Sequence, residues 1–494
     1  MIGAHCMDLF SMNIWLVFII GANFIFVVFT LCIERKNPTL ALSWILTLTF
    51  LPVVGFVLYL LFGTNVLLRK KKTLDDKRHN DNQYMKKIMR KIELRDEANK
   101  FKEEVRIEKD YQQFVNLNLN IGKSHYTTDN DVDIFITAKD KYRQLIQDIE
   151  NAKTSIHMLY FIIRNDRIGR MIIQVLARKA KSGVKVRVLY DHAGCMLTPV
   201  NTFQPLLDSG AQVERFFPMS VGNYLRINFR NHRKIVVIDG AIGYLGGMNI
   251  GDEYMGLLQD NAPWRDTHLR IMGSSVYLLQ MRFIDDWHFA THYRYRNQFD
   301  DIECFFPQFT KQGSTKMQIV SSGPDTMEEE IKWNFVKLIY TAKDYIYIQT
   351  PYFVPDDCFL EALKIAAMSG IKITIMAPSK TDNIIAHKVT ISYLGELLSY
   401  GIDVFFYPGF LHAKMLLIDE EIVSIGSANM DMRSFALNFE VNAFMYGKGI
   451  SKRCADIFRN DLRIASRFTA EEYNKRGRLV RMQESVYRLI APLL

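Results

Sequence analysis

Residues 232–249 read HRKIVVIDGAIGYLGGMN, and residues 412–429 read HAKMLLIDEEIVSIGSAN. Both stretches fit one pattern, H-x-K-x4-D-x6-G-[GS]-x-N, with the same offsets throughout. A single H-x-K-x4-D arises by chance in a chain of this length at roughly a few per cent. Two copies that share the same tail are therefore not a coincidence, and the chain carries a duplicated set of chemically capable residues.

Each stretch predicts a β-hairpin that gathers its polar residues in one place. Residues 235–238 and 415–418 are expected to form a buried strand, and the aspartate that follows marks the turn. The histidine and lysine, two residues apart, point to the same face. The returning strand, 242–245 or 422–425, brings the glycine pair and the asparagine back beside them. Each repeat thus offers an imidazole, an ammonium and an amide on one small surface.

These side chains suit phosphoryl transfer. One imidazole can attack phosphorus, while the second protonates the leaving oxygen and then deprotonates the incoming hydroxyl. Lysines and asparagines can hold the phosphate oxygens, so the reaction requires no metal and no other cofactor. The catalytic candidates are the histidine, lysine and aspartate of each motif: His232, Lys234, Asp239, His412, Lys414 and Asp419. The substrate-binding candidates are Gly247, Asn249, Ser427 and Asn429.

Two details of the motif leave alternatives open. For Asp239 and Asp419, a turn-fixing or salt-bridging role is favoured over direct chemistry, because an aspartate at a turn usually fixes that turn. Ser427 stands where the first repeat has Gly247, and its hydroxyl could bond the phosphate or the histidine. The two halves are therefore not equivalent, although this difference does not show which histidine is the nucleophile.

The duplication extends beyond the motif. Segments 152–158 and 342–348 match at a distance of 190 residues, and each leads into a β-like run, a helix-like segment and a second strand. Strands and helices that alternate in this way predict an α/β sandwich. Two copies predict two similar lobes, which we place at 126–310 and 311–494.

Composition narrows the class of protein. The chain has 494 residues, of which 49% are hydrophobic and 23% charged, and this balance argues against disorder, collagen and coiled coil. The net charge of +9 favours an anionic partner such as nucleic acid, a phosphate ester or an acidic lipid surface. The six cysteines are scattered without a CxxC pair, which argues against a disulfide scaffold and a zinc ribbon.

Residues 1–65 predict a transmembrane hairpin. The stretches 12–33 and 39–62 are uncharged and mostly apolar, and each is long enough to cross a hydrocarbon core about 30 Å thick. The first stretch is too long for a signal peptide and lacks a basic start. Lys and Arg are denser at 69–72 than in the loop between the stretches, so both termini and the lobes are expected to face the cytoplasm.

Two further helices are expected around the lobes. Residues 66–125 predict a charged linker helix between the membrane and the first lobe. Residues 451–468 predict an amphipathic helix, for which packing against the second lobe is favoured over membrane contact.

The duplicated motif resembles that of the phospholipase D superfamily, the HKD enzymes. Within it, the chain resembles the bacterial cardiolipin synthases of the two-span type, through strings at 34–38, 226–231, 264–268 and 487–494. The resemblance covers nearly the whole chain. It implies two tandem phospholipase D-like α/β sandwich lobes after an N-terminal two-helix transmembrane hairpin, in a multi-pass protein of the bacterial cell membrane.

The resemblance also implies a reaction. One phosphatidylglycerol gives its phosphatidyl group to a histidine and releases glycerol, and a second attacks through its glycerol hydroxyl to yield cardiolipin. His232 is the expected nucleophile and His412 the acid/base, although the roles could be exchanged. A carboxylate is expected against each histidine: Asp266 lies 34 residues after His232, and Glu440 lies 28 after His412. The open alternative for Glu440 is an edge-strand charge.

Two rival functions stay open. One is a membrane-tethered HKD phosphodiesterase that cleaves nucleic acid or hydrolyses a phospholipid. The modest net charge and the membrane anchor argue against a nuclease. The other is a non-catalytic lipid-binding or scaffold protein, against which two intact H-x-K motifs argue. The expected partners are therefore phosphatidylglycerol and anionic membrane lipid, and not nucleic acid. The oligomeric state is not predicted.

Overall fold

The computed structural model describes most of the chain from residue 108 onward, together with a few earlier segments. The described residues are 21, 25, 38–50, 55, 86–88, 90–91, 108–218, 229–256, 264–292, 294, 296–299, 302–308, 312–326 and 328–489. The chain divides into two compact units, Met1–Lys77 and Arg78–Leu494.

The described part of the first unit includes helix α1 (Pro38–Phe50), which carries no charged residue. Its side chains Leu42, Leu46 and Phe50 are exposed. The predicted spans 12–33 and 39–62 lie largely outside the described residues. No helix in the described ranges combines the length and apolarity that a membrane crossing requires.

The second unit is built around one large mixed sheet. The strands of this unit are β1 (Thr127–Phe135), β2 (Ser155–Tyr160), β3 (Lys185–Asp191), β4 (Gln212–Phe216), β5 (Arg230–Asn231), β6 (Ile235–Ile238), β7 (Ile242–Gly246), β8 (His268–Met272), β9 (Thr315–Ser322), β10 (Tyr345–Gln349), β11 (Phe353–Val354), β12 (Lys372–Pro378), β13 (Asp403–Tyr407), β14 (Met415–Ile418), β15 (Ile422–Gly426), β16 (Met430–Asp431), β17 (Asn438–Tyr446) and β18 (Ser466–Phe468). The short strands β11 and β16 pair with each other in a separate two-stranded sheet.

Helices cover both faces of the sheet. In chain order they are α2 (Lys109–Gly122), α3 (Ala138–Asn151), α4 (Arg167–Lys181), α5 (Gln204–Asp208), α6 (Ser275–Thr291), α7 (Ile302–Phe305), α8 (Glu330–Thr341), α9 (Asp357–Met368), α10 (Ile384–Leu397), α11 (Met432–Ala436), α12 (Lys448–Leu462), α13 (Ala470–Asn474) and α14 (Arg478–Leu489). Short 3₁₀ turns lie at Val200–Phe203, Asp252–Met255, Arg296–Phe299 and Leu398–Tyr400.

The order of the strands shows the duplication directly. One half runs β4-β3-β2-β6-β7-β8-β1, and the other runs β9-β17-β15-β14-β10-β12-β13, with β18 added at the outer edge. Equivalent strands of the two repeats occupy equivalent places, which confirms the predicted pair of similar lobes. The halves meet where β1 pairs antiparallel with β9, so the two sheets are continuous.

Alternation along the strands explains the layers. On β2, Ile156, Met158 and Tyr160 pack in a core with α3 and α4. The ring of His157 faces the other way and stacks on Phe283 of α6, with centroids 4.8 Å apart. Side chains of a strand alternate between its two faces, so β2 is buried by helices on both sides.

The two predicted hairpins are confirmed. β6 pairs antiparallel with β7, and β14 with β15. In the first turn, Asp239 and Gly240 both have positive φ, as a type I′ turn requires. A Cβ atom at Gly240 would lie 2.3 Å from the carbonyl oxygen of Phe305, so a glycine is needed there. The second turn places Glu420 at φ 52°, and an ion pair with Arg459 anchors that side chain.

The two segments that flank the lobes differ from their predictions. α12 ends at Leu462, not at residue 468, because Ser466–Phe468 forms β18 and pairs with β13. The helix packs on the second lobe as expected. Further upstream, α2 buries Tyr111, Phe114 and Val115 in the core of the second lobe, so this end of the expected linker belongs to that lobe. The rest of the predicted linker lies largely outside the described residues.

Candidate active site

The two motif histidines lie where the repeats meet, and each bonds a carboxylate of the other repeat. His232 Nδ1 lies 3.0 Å from Glu440 Oε1 and 3.1 Å from Oε2. His412 Nδ1 lies 2.6 Å from Asp266 Oδ2. Along the sequence each carboxylate follows the histidine of its own repeat, but the structure exchanges the partners. Neither histidine–carboxylate pair can therefore form from one repeat alone.

Backbone hydrogen bonds hold this exchange in register. His232 N donates to the carbonyl oxygen of Phe439, the residue before Glu440, at 3.0 Å. His412 N donates to the carbonyl oxygen of Arg265, the residue before Asp266, at 2.7 Å. Each histidine is thus tied to the opposite repeat twice, through its main chain and through its ring. The two ties fix both the position and the orientation of the imidazole.

The histidine rings are buried and held neutral at physiological pH. Burial, opposed by the paired carboxylate, lowers the pKa of His232. Burial and the nearby Lys414 lower the pKa of His412 to about 4. With Nδ1 turned to the carboxylate, the neutral ring donates from that nitrogen and keeps a lone pair on Nε2. Aromatic rings line the sites and account for the desolvation: Phe161 beside His232, and Tyr254, Trp264 and Phe410 around His412.

The two carboxylates stay ionised despite complete burial. Burial alone would raise the pKa of Glu440, but His232, Lys234 and the hydroxyl of Ser427 outweigh it and lower the pKa. In the same way Lys414 and His412 lower the pKa of Asp266 against its burial. Each imidazole therefore has an anion beside Nδ1 that can stabilise a positive charge on the ring.

Both motif lysines are buried beside the histidines. Lys234 Nζ donates to the carbonyl oxygen of His232 at 2.5 Å, and Lys414 Nζ donates to that of His412. Burial lowers the pKa of Lys234 to about 7 and that of Lys414 to about 8. An anion bound between the two ammonium groups would keep both of them protonated. Its attraction to them would be strong, because little water screens charges in a buried site.

The carboxylates of the two motif aspartates bond the main chain of a neighbouring strand, and no bond joins them to the motif histidines or lysines among the described contacts. The carboxylate of Asp239 accepts three backbone N–H groups, from residues 153, 154 and 155, at 2.7 to 3.0 Å. Asp419 accepts those of residues 343, 344 and 345 at 2.7 to 2.9 Å. Four strand residues separate each aspartate from its lysine, which is roughly 16 Å of chain. Both aspartates therefore fix the start of a neighbouring strand, the turn-fixing role favoured from the sequence.

Comparison with known proteins agrees with this geometry. Residues 145–268 and 335–462 match the family described as cardiolipin synthase, PLD-like domain. Residues 21–63 match a family described as phospholipase D-nuclease N-terminal. The major cardiolipin synthase of Bacillus subtilis (strain 168) is 42% identical over 493 residues, which cover 99% of this chain and 100% of that protein. The chain belongs to the cardiolipin synthase family.

A second relative and one solved structure are also similar to the chain. A cardiolipin synthase of Listeria monocytogenes serotype 4a (strain HCC23) is 41% identical over 97% of this chain and 98% of its own length. The phosphatidylserine synthase of Haemophilus influenzae Rd KW20 superposes with a TM-score of 0.59 at 15% identity, covering 78% of this chain and 100% of that one. That superposition shows a shared fold.

The glycine and serine of the motif make the two halves of this cardiolipin synthase family member unequal. Ser427 Oγ donates to Glu440 Oε2 at 2.5 Å, so its hydroxyl supports the carboxylate and not the histidine directly. A Cβ atom at Gly247 would lie 2.2 Å from Asp266 Oδ1. Asp266 instead receives the backbone N–H of Thr267 at 2.7 Å. A serine is thus accommodated in one repeat and excluded from the other by the carboxylate it faces.

The motif asparagines are buried, and each already has a hydrogen-bond partner. Asn249 Nδ2 donates to the hydroxyl of Tyr254 at 2.9 Å, and its Oδ1 accepts the N–H of Ile162 at 3.2 Å. Asn429 hydrogen-bonds Asp431. These bonds fix the orientation of both amides, so any phosphate contact would use their second N–H.

Sequence reasoning missed Arg233, which stands between the histidine and lysine of the first motif and is fully buried. Its guanidinium bonds both oxygens of Asp286 at 2.7 and 2.8 Å. It also donates to the carbonyl oxygens of Glu440 and Ser322 at 3.0 and 3.1 Å. The second motif has Ala413 at this place. This difference between the repeats could have identified Arg233 from the sequence, since the first motif has a charged residue where the second has alanine.

Proposed function

We propose that the chain synthesises cardiolipin by transferring a phosphatidyl group from one phosphatidylglycerol to another, with a phosphohistidine intermediate. The observation that carries this proposal is the exchanged pairing, in which two neutral imidazoles, each backed by a buried carboxylate, meet with two lysines at the junction of the repeats. The names of the relatives support the lipid product.

In the first half of the reaction, Nε2 of His232 attacks the phosphorus of phosphatidylglycerol. The bond between phosphorus and the head-group glycerol oxygen breaks as the phosphorus–nitrogen bond forms. His412 gives a proton to the leaving glycerol. Glu440 stabilises the positive charge that develops on the ring of His232. Lys234 and Lys414 stabilise the negative charge on the phosphate oxygens.

His412 must be protonated before it can act as the acid. In the free protein its pKa is about 4, because burial and Lys414 both oppose the imidazolium. A bound phosphodiester brings a negative charge that offsets the lysine and favours the imidazolium. Substrate binding therefore raises the pKa of His412, whose Nε2 takes up a proton from solvent, and Asp266 holds the protonated ring in place.

In the second half, His412 is neutral again and takes the proton from the glycerol hydroxyl of a second phosphatidylglycerol. That oxygen attacks phosphorus, the phosphorus–nitrogen bond breaks, and cardiolipin leaves with His232 restored. The reaction uses the same two side chains in reversed order. The assignment of nucleophile and acid/base rests on family resemblance, and the near symmetry of the site would allow the opposite assignment.

The location follows from the substrate. We propose that the protein acts at the bacterial cell membrane, with residues 1–65 as a two-span anchor and both lobes on the cytoplasmic side. The support is the sequence pattern of 12–33 and 39–62, the basic residues at 69–72, and the N-terminal family match at 21–63.

Product analysis tests the proposal. Full-length protein in mixed micelles would receive labelled phosphatidylglycerol as the only lipid, with EDTA present throughout. We expect equimolar cardiolipin and glycerol. Phosphatidic acid without cardiolipin would show that water is the acceptor and would replace the synthase by a phospholipase. No turnover of the lipid under any tested detergent ratio would overturn the proposal.

Exchanging the glycine and serine of the two motifs should have unequal effects. Gly247→Ser forces Asp266 away from its added Cβ, and the 2.6 Å bond to His412 is lost. Such a displacement of a catalytic pair costs roughly a hundredfold in turnover. Ser427→Gly removes one hydrogen bond to Glu440 and should cost less than about tenfold. Initial rates of cardiolipin formation compare the two; equal losses would contradict the packing argument.

A further inference from the structure

The last described helix, α14 (Arg478–Leu489), exposes an apolar face. Leu479, Met482 and Val486 are 71%, 61% and 54% exposed. Their spacing of three and four residues puts them on one side of a helix. A surface helix of a globular protein normally turns such a stripe toward the core, so this helix is oriented the opposite way.

The side of α14 opposite this stripe contacts the protein, and Tyr487 on that side packs against Val354 and Val389. Glu484 is buried and forms an ion pair with Arg476. Arg488 bonds Glu396 of α10 at 2.8 Å, and its guanidinium lies 4.1 Å from the ring centroid of Tyr393. These contacts fix the rotation of the helix and keep its apolar face outward. The orientation is therefore a property of the packing and does not come from a loosely attached end.

α10, on which α14 packs, leads to the active site. Its first residue, Ile384, is another exposed apolar residue, at 71%. Two residues earlier, Asp382 bonds the hydroxyl of Tyr352 and interacts electrostatically with the motif lysine Lys414. The apolar surface of the second repeat thus adjoins one side of the catalytic centre.

The first repeat presents a matching surface on the other side. Asp191, at the end of β3, accepts the N–H of Asn231 at 2.7 Å, next to the histidine of the first motif. The chain that follows β3 carries Met196, Leu197 and Val200, which are 63%, 82% and 66% exposed. β3 and β12 are equivalent strands, so both repeats place exposed apolar residues after the same strand, beside the catalytic residues.

We propose that the outward face of α14, together with the apolar segments after β3 and β12, docks on an anionic phospholipid bilayer and presents the catalytic centre to the lipid head groups. Arg478 and Arg481 are exposed beside the apolar face, and Lys380 is exposed in the segment after β12. An apolar stripe flanked by cations is the pattern of a helix that lies in the membrane interface. This inference rests on the proposed function, because it is the lipid substrate that selects a bilayer as the occupant.

Quenching by brominated lipid tests the contact without reference to turnover. Full-length Met482→Trp would be reconstituted in vesicles of phosphatidylglycerol with dibrominated phosphatidylcholine. Met368→Trp is the matched control, since Met368 is 73% exposed at the end of α9, before the start of β12, whereas Asp382 and Ile384 follow the other end of that strand. We expect about half of the added emission to be quenched for Met482→Trp and almost none for the control. Equal quenching at both positions would overturn the proposal.

Activity in two environments separates docking from chemistry. Leu479→Asp with Met482→Asp should lower cardiolipin formation about tenfold in vesicles and leave the rate in mixed micelles unchanged, where single lipids reach the site. Met368→Asp should change neither rate.

An equal loss in vesicles and micelles would overturn the docking role. Light scattering that shows a dimer for wild type and a monomer for the double variant would also overturn the docking role, since a second copy of the chain would then cover the apolar face. A wild type inactive in both environments would refute the proposed function, while the quenching result would still decide the docking.

Discussion

Replacing His232 by alanine should reduce cardiolipin formation by at least about 10⁴-fold, because the variant has no nucleophile at that place. Glu440 holds the ring and the carbonyl oxygen of Phe439 holds the main chain of His232, and no other imidazole among the described residues bonds either partner. His125→Ala is the matched control, since His125 is exposed on the same unit. Its rate should stay within about twofold of wild type. Initial rates of cardiolipin formation from labelled phosphatidylglycerol in micelles give the comparison.

Trapping the covalent intermediate assigns the two histidines. With phosphatidylglycerol labelled at phosphorus, protein quenched in alkali should carry label on a peptide that contains His232. His412→Ala removes the acid and base and should slow both halves of the reaction, yet any label it retains should still lie on His232. Label on His412 in wild type, retained in His232→Ala, would reverse the assignment. A protein that forms cardiolipin but never carries label would contradict the phosphohistidine step.

The local parts of this fold were predictable because they depend on neighbouring residues. Buried runs such as 235–238 alternate with turn residues, and the hairpins followed directly. The paired helices and strands of the two repeats were found from their matching order. The end of α12 was missed because the strand Ser466–Phe468 has only three residues, and its stability comes from pairing with β13. A periodic pattern could not distinguish that short pairing from a continuing helix.

The arrangement of the site depends on tertiary contacts, and it was harder to predict from the sequence. Asp266 and Glu440 were identified by resemblance, but their positions along the chain suggested the wrong partners. Only the meeting of the two repeats shows that each carboxylate crosses to the other histidine. The hydroxyl of Ser427 was expected on the phosphate or the histidine, and it supports Glu440 instead. Spacing could identify which residue types were present but not which of them would meet.

Arg233→Ala should destabilise the second unit by about 3–5 kcal/mol, because it leaves the buried carboxylate of Asp286 without its principal partner. The residue connects three parts of the unit: Asp286 on α6, Ser322 at the end of β9, and Glu440 on β17. Arg282 still bonds Asp286 at 2.9 Å, which limits the loss. In a unit of this size, Arg78–Leu494, we expect the thermal midpoint in detergent to fall by roughly 3–6 °C.

The same substitution should also reduce turnover in the molecules that remain folded. Arg233 donates to the carbonyl oxygen of Glu440, the residue whose carboxylate orients His232. Arg233→Met keeps most of the side-chain volume and should recover part of the stability through packing, but it cannot restore that donor. Arg143→Ala, at an exposed ion pair with Asp140, is the control and should shift the midpoint by less than about 2 °C. If Arg233→Met matched wild type in both midpoint and rate, the guanidinium would be replaceable by an apolar chain. The bonds to Asp286 and Glu440 would then contribute neither stability nor orientation of the nucleophile.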